Sequence, residues 1–290
     1  MATHCAPAGN AAVEAALSKV SRLATLPEIT TRIIEIVDNP NATANELEKL
    51  VSSDPVLSAR VLKVVNSSFY GLPASVNSIK QAIVLLGMGG LKNIAIAASL
   101  AKLFGGMPTQ DDFDPQGPWQ HSAAVAAAAK LICDHIDGNG EEMFLAGLLH
   151  DVGTVIALQA MRREFGGLVE RRSDKPDEAY ETAERLCLGA THEEFGIALC
   201  RSWNFPDSIQ AAVAFHHDPD SAEEEFRHAA RIICIADHIA AECGIGYCSV
   251  SGDQTMPADV LAELGLDSEQ LDSIRERVTQ TAGLAEQIAA

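Results

Sequence analysis

The stretch SSDPVLSARVLKVVNSSFYG, residues 52–71, decides the fold class. Asp54 is a helix N-cap, and Pro55 stands at the first helical position, where a missing N–H costs nothing because that position has no intrahelical acceptor. From Pro55 to Ser68 the apolar residues recur with helical spacing, and Gly71-Leu72-Pro73 closes the segment as a connector. The same grammar runs in both directions. Upstream, Thr43-x-x-Glu46 is a capping box opening NELEKLVSS; downstream, Thr191-x-x-Glu194 opens HEEFGIALCRSW, and Asn204-Phe205-Pro206 is a second connector. The most apolar run, AIVLLGMGGLKNIAIAASLA (82–101), contains three glycines and a central Lys92-Asn93 pair, which marks it as a buried helix pair and not a membrane span. No convincing alternating strand is found, so the chain is predicted to be all-α.

Composition agrees. Aromatics are only 5% while Ala and Leu are abundant, which favours helices. With 40 acidic against 21 basic residues the net charge is −19, and such a chain repels a phosphate backbone, so no nucleic-acid partner is expected. The pairs Arg162-Arg163 and Arg171-Arg172 read as solvated helix faces. Seven cysteines without a Cys-x-x-Cys argue against a disulfide framework. Cys133, Cys200 and Cys234 read as small core residues, whereas Cys243 and Cys248 could pair or bind a metal. The N-terminal segment lacks the pattern of a signal peptide, and the expected location is cytoplasmic, with no membrane partner.

One interruption stands out: GGMPTQDDFDPQGP (105–118), read as an internal loop because the flanking helices look too apolar to stand alone. The expected organisation is a loose N-terminus over 1–18, a helical half over 19–104, a second half over 119–220, and a helical extension over 221–290 that completes the core of that second half.

All the informative histidines lie beyond that loop. His150-Asp151 stands in FLAGLLHDVG, and His216-His217 follows sixty-six residues on, with His121, His192 and Asp237 as single candidates. Imidazole and carboxylate are the ligands of a hydrolytic metal centre. Neighbours on a helix point about 100° apart, so a doublet converges on one ion only where the helix ends. Both doublets are read as helix C-termini, the first because Gly153 follows as a stop, and there the macrodipole favours a cation. His192 is expected to begin a helix, His121 to lie near the start of the Ala-rich helix, and Asp237 to lie inside a third. His4, His135, His228 and His238 read as ordinary core or surface residues.

The N-terminal half, LPEITTRIIEIVDNP followed by ELEKLVSSDPVLSARVLKVVNSSFYG and SIKQAIVLLGMGGLKN, resembles the HDOD domain, a bacterial signalling module related to the HD phosphohydrolases. The likeness spans roughly residues 20–220 and includes THEEFGIALCRSWNFPDSIQAAVAFHHDP. It implies an all-α, HD-superfamily-like fold and a role in signal transduction through a protein partner. HDOD domains often lose the superfamily's metal residues; this chain keeps His121, His150, Asp151, His192, His216, His217 and Asp237, in the ligand order of the related HD-GYP phosphodiesterases. That implies a divalent transition metal, one or two ions, with Fe or Mn favoured and Ni or Zn also open.

Departures from HD-GYP enzymes narrow the function. Thr154 stands where they have Lys, DPDSAEEEF follows His-His where a Gly-Tyr-Pro belongs, and position 117 is Gly where some have Glu. A regulatory module is therefore favoured over cyclic di-GMP hydrolysis. The alternative is a metal-dependent phosphohydrolase acting on a nucleotide or cyclic dinucleotide, with Asp151 as bridging ligand and His192 as ligand or proton shuttle; Lys130 and Arg201 would be its nearest phosphate clamps. Asn66, Ser67, Ser68 and Tyr70 read as a helix cap and turn.

Overall fold

The computed structural model describes residues 10–20, 27–67, 69–104, 116–136, 138–246, 256–280, 283 and 285, and among these no strand is present. In the described residues, five helices precede the interrupting loop: α1 (Ala11–Lys19), α2 (Glu28–Asp38), α3 (Ala44–Ser52), α4 (Pro55–Val65) and α5 (Ile79–Phe104). After it come α6 (Gly117–Ile136), α7 (Gly140–Leu149), α8 (Val152–Ala160), α9 (Arg162–Asp174), α10 (Tyr180–Leu188), α11 (His192–Ser202) and α12 (Asp207–Phe215). A 3-10 turn, Pro219–Ser221, leads to α13 (Arg227–Glu242), α14 (Ala258–Leu264) and α15 (Ser268–Gln280).

The caps that punctuate the sequence are formed. Asp54 Oδ1 accepts from the Val56 and Leu57 amides at 2.9 and 3.0 Å, and both capping boxes close. Leu57, Val61, Val64 and Val65 then form one buried stripe of α4, which packs on α5 beside α2 and α3. The expected helix pair over 82–101 is present: the span labelled α5 is two helices meeting at a kink at Gly87, whose φ 74°, ψ 175° is not helical. That backbone is open to glycine and strained for any side chain. Asn66 ends α4 and holds the following turn: its amide donates to Leu62 O and Val76 O, and its Oδ1 accepts from the Val76 amide at 2.7 Å. Ser68 lies outside the described residues.

The halves join where α5 packs on α7 and the rings of Phe69 and Phe144 stack at 5.9 Å. Their apolar side chains belong to one contiguous core running from Val13 to Ala285. At its centre lies α6, whose alanines let α7 and α13 approach closely. Two helical stretches, Ile79–Ala101 and Gly140–Ala160, are long and apolar enough to cross a membrane, and 61% and 83% of their apolar windows are buried in this core.

Two expectations fail. The N-terminus is not loose throughout: Asn10 caps α1, which buries Val13 and Ala16 against α8 and α11. Residues 1–9 lie outside the described set, as do 105–115 of the interrupting loop. Nor is Gly153 a helix stop, for it sits in the first turn of α8. A Cβ there would lie 1.8 Å from His192 O, so this glycine serves the close approach of α8 to α11. Cys133, Cys200 and Cys234 are buried and free, as expected; Cys248 lies outside the described residues.

Candidate metal centre

The fold brings all seven predicted ligands together. His150 caps the end of α7 and Asp151 the start of α8; His216 and His217 follow α12; His192 opens α11; His121 and Asp237 project from α6 and α13. Ligand atoms of His121, His150 and Asp151 lie within 4.8 Å of one another, and so do those of His192, His216 and His217. Asp151 faces both groups: Oδ2 is 3.6 Å from His150 Nε2, while Oδ1 is 3.4 Å from His192 Nε2 and 3.8 Å from His216 Nε2. Asp237 Oδ1 lies 2.8 Å from His121 Nε2 and 3.9 Å from His150 Nε2. The arrangement is two adjoining clusters sharing one carboxylate.

Helix ends do more here than supply a dipole. The last carbonyls of a helix have no intrahelical partner. His150 Nδ1 donates to one of them, Gly147 O, at 2.7 Å, and His216 Nδ1 donates to another, Val213 O, at 3.0 Å. A carbonyl only accepts, so each Nδ1 carries the proton and each Nε2 presents a lone pair inward. His192 is held likewise by a carboxylate, Glu184, at 2.9–3.0 Å. His150 Nε2 is buried without a hydrogen-bond partner, and the Nε2 atoms of His192 and His216 face each other at 3.3 Å. Two ring nitrogens at that distance beside a carboxylate share either a proton, which a protonated His192 supplies to His216, or a metal cation. These residues fit a metal.

The charges agree. Burial pushes the Asp151 and Asp237 carboxyls up, yet the surrounding imidazoles hold both below the ordinary carboxylate value, Asp237 well below. Burial likewise disfavours a charged His192, but Glu184 and then Asp151 outweigh it and raise its pKa to about 10. His121 is raised by Asp237 against the same opposition. Burial and neighbouring imidazoles push His216 well down and His217 to about 4. The His217 ring packs on His216 at 4.1 Å but keeps an exposed edge at the mouth of the site. Beside it, burial lifts the half-buried Glu193 to about 7.

That mouth is a cavity of about 450 Å³ bordered by Tyr180, Glu181, His217, Asp218, Asp220 and Asp259, and among the described residues no Lys or Arg lines it. The guanidiniums nearby are engaged: Arg231 pairs with Asp220 at 2.9 Å, and Arg172 stands over the Tyr180 ring while bound to the Pro176 and Glu178 carbonyls. Neither expected phosphate clamp serves the mouth, since Lys130 pairs with Glu141 and Arg201 is exposed on α11. Thr154 is buried within α8.

Sequence reading missed Glu184. Its signal is an inverted pattern on α10, where Glu184 is 1% exposed and Leu186 is 63% exposed.

Comparison with known proteins places the fold and the family together. The HDOD domain pattern matches residues 23–219. A candidate phosphohydrolase from Shewanella amazonensis, solved by crystallography, superposes with a TM-score of 0.72 at 26% identity, covering 95% of this chain and 97% of that one. An uncharacterized protein of Treponema pallidum (strain Nichols) is 25% identical over 219 residues, 73% of this chain. Ribonuclease Y of Thermus thermophilus is 26% identical over 196 residues, 67% of this chain. The matches span 41% and 28% of those two relatives, so the chain corresponds to under half of each.

Proposed function

The chain belongs to the HDOD domain family, and on that premise we propose that it is a cytoplasmic bacterial signal-transduction module whose second half holds one or two divalent transition-metal ions. The observation that carries this reading is the convergence of seven ligands on two clusters sharing Asp151, with the outer nitrogens of His150, His192 and His216 already fixed by acceptors. His121, His150, Asp151 and Asp237 would hold one ion; His192, His216, His217 and Asp151 the other. Mixed imidazole and carboxylate ligation suits Fe or Mn, and Ni or Zn compete for the same donors.

The mouth favours regulation over phosphodiester turnover. A cyclic dinucleotide brings negative charge to a rim of carboxylates on which no described cation is placed to receive it, and the buried Thr154 offers none. Val84 and Leu85, 78% and 55% exposed beside the Gly87 kink, give the N-terminal half an apolar surface suited to a protein partner.

One observation favours a second reading, a metal-dependent phosphohydrolase: the likeness to the Shewanella protein extends over the whole domain. A bound metal would supply Lewis acidity and an activated water; Asp151 and His192 would then hold and orient the reacting groups.

The deciding experiment is to purify the protein without a histidine tag, measure Fe, Mn, Ni and Zn per chain, and assay phosphomonoesters, cyclic dinucleotides and nucleotides with each metal restored. Bound metal without turnover is the expected result. Turnover that tracks occupancy would establish the second reading, and failure to take up any metal after reconstitution would sink both.

A further inference from the structure

We propose that Glu184 is the positioning residue of the second cluster: it locks His192 in the tautomer that faces the metal, and so controls the His192–His216–His217 cluster without controlling its neighbour. The inference rests on the metal-centre reading above and concerns a carboxylate outside the seven ligands.

The geometry is specific. Glu184 is 1% exposed and lies on α10, with Ala183 and Leu188 as its buried neighbours. Gly189, at φ 80°, ends that helix and turns the chain so that His192 begins α11 directly against Glu184. Both carboxylate oxygens lie within hydrogen-bond distance of His192 Nδ1, at 3.0 and 2.9 Å, and both stand 3.2 Å from the His192 amide. The corner is strapped from outside by α1, since Asn10 Nδ2 donates to Gly189 O at 3.0 Å.

The two clusters differ in what stands behind them. In the first, His150 leans on a backbone carbonyl, and the negative charge comes from the ligands Asp151 and Asp237. In the second, three imidazoles share Asp151, and the carboxylate that contacts a ligating ring from behind is Glu184, one atom layer outside, with Glu193 farther off beside the same cluster. A carboxylate behind a ligating imidazole fixes its orientation and raises its basicity, and removing such a partner typically costs about 10–100-fold in metal affinity. The contact that Glu184 makes is with the second cluster.

A merely structural role is the competing account, because the Glu184 carboxylate also accepts from the first amide of α11. Glu184→Gln separates the two: an amide oxygen still accepts from the backbone N–H, but the side chain is neutral and its acceptor weaker. Tag-free apoprotein is titrated with Co(II), with equivalents counted by equilibrium dialysis and visible absorption reporting each step; thermal unfolding is measured alongside. Wild type is expected to take two equivalents. Glu184→Gln is expected to hold the first unchanged and weaken the second by about tenfold or more, with little change in unfolding temperature. Glu184→Asp should recover part of the second. Two equivalents bound by Glu184→Gln as tightly as by wild type would overturn the inference, and so would equal weakening of both. A wild-type protein that binds no Co(II) would instead overturn the metal-centre reading itself.

Discussion

The two halves of the chain use polar side chains to opposite ends. In the N-terminal half two side-chain amides are consumed by backbone: the exposed Asn66 exchanges two hydrogen bonds with Val76, and the buried Asn93 donates across the junction to Glu141 O at 2.6 Å, while the Thr30 and Ser67 hydroxyls are buried without a hydrogen-bond partner among the described residues. In the second half three histidines of the site have their backs satisfied and their fronts turned to one carboxylate. His150 and His216 donate outward to Gly147 and Val213, His192 donates to Glu184, and the three Nε2 atoms are turned toward the Asp151 carboxylate. A polar group closed at every atom is architecture. One closed behind and open in front is a site, because leaving it open costs stability that only a ligand recovers.

The contrast is most severely tested at Gly153. A methyl there meets His192 O at 1.8 Å and the Gly196 amide at 2.8 Å, and neither is a side chain that can swing aside. Gly153→Ala is expected to force α8 from α11, destabilise the protein by about 3 kcal/mol or more, and abolish metal uptake with it. Chemical denaturation and metal analysis measure both, and a normally stable, fully loaded variant would refute the close packing. Asp151→Ala separates stability from ligation. Because the carboxylate is shared, metal per chain should fall to near zero rather than by half, while the helices around it remain folded. Retention of one tightly bound equivalent would show that the clusters are independent.

The same contrast explains what could be read from the chain. Caps are local, so Asp54, Thr43 with Glu46, and Thr191 with Glu194 are legible as written, and so are seven side chains of metal-binding type that the fold brings together. What fails is what depends on distant partners. Gly153 has the local look of a helix stop, yet its reason is a carbonyl in α11. The N-terminal residues are alanine-rich and short of large side chains, and only the corner at Gly189 shows why Ala11–Lys19 is ordered. Glu184 and Leu186 invert the hydrophobic pattern of α10: residues two apart on a helix point about 200° apart, so burying one exposes the other. The buried one is the acid because His192 is there to meet it.

Asn66→Ala should show the other side of the comparison. It leaves the Val76 amide and carbonyl without partners and is expected to cost about 2 kcal/mol. Metal stoichiometry and affinity should be unchanged, because the turn it closes lies in the other half. A drop in metal affinity matching the loss of stability would mean that the halves are coupled more tightly than the division into architecture and site allows.

The smallest effect concerns the metal-free protein and its pH dependence. Unfolded histidine takes up a proton near pH 6.5, but folded His217 resists until about pH 4 and His216 resists as well. The unfolded state therefore binds more protons between those values, and stability is lost as pH falls through the window from 6.5 to 4. His192 runs the other way. Its folded value near 10 lies above the unfolded one, so its contribution is complete below pH 6.5 and is lost as pH rises toward 10. Glu193 opposes the histidines in part of the acid window, since a folded value of about 7 above an unfolded 4.5 makes stability fall as pH rises between them. The contribution of His217 is accordingly read as a difference. The unfolding temperature of wild type relative to His217→Asn, both metal-free, should be lowest near pH 4, rise as pH rises to 6.5 and stay constant beyond. A gap independent of pH would mean that the His217 ring titrates freely in solvent and does not belong to the closed-behind, open-in-front set.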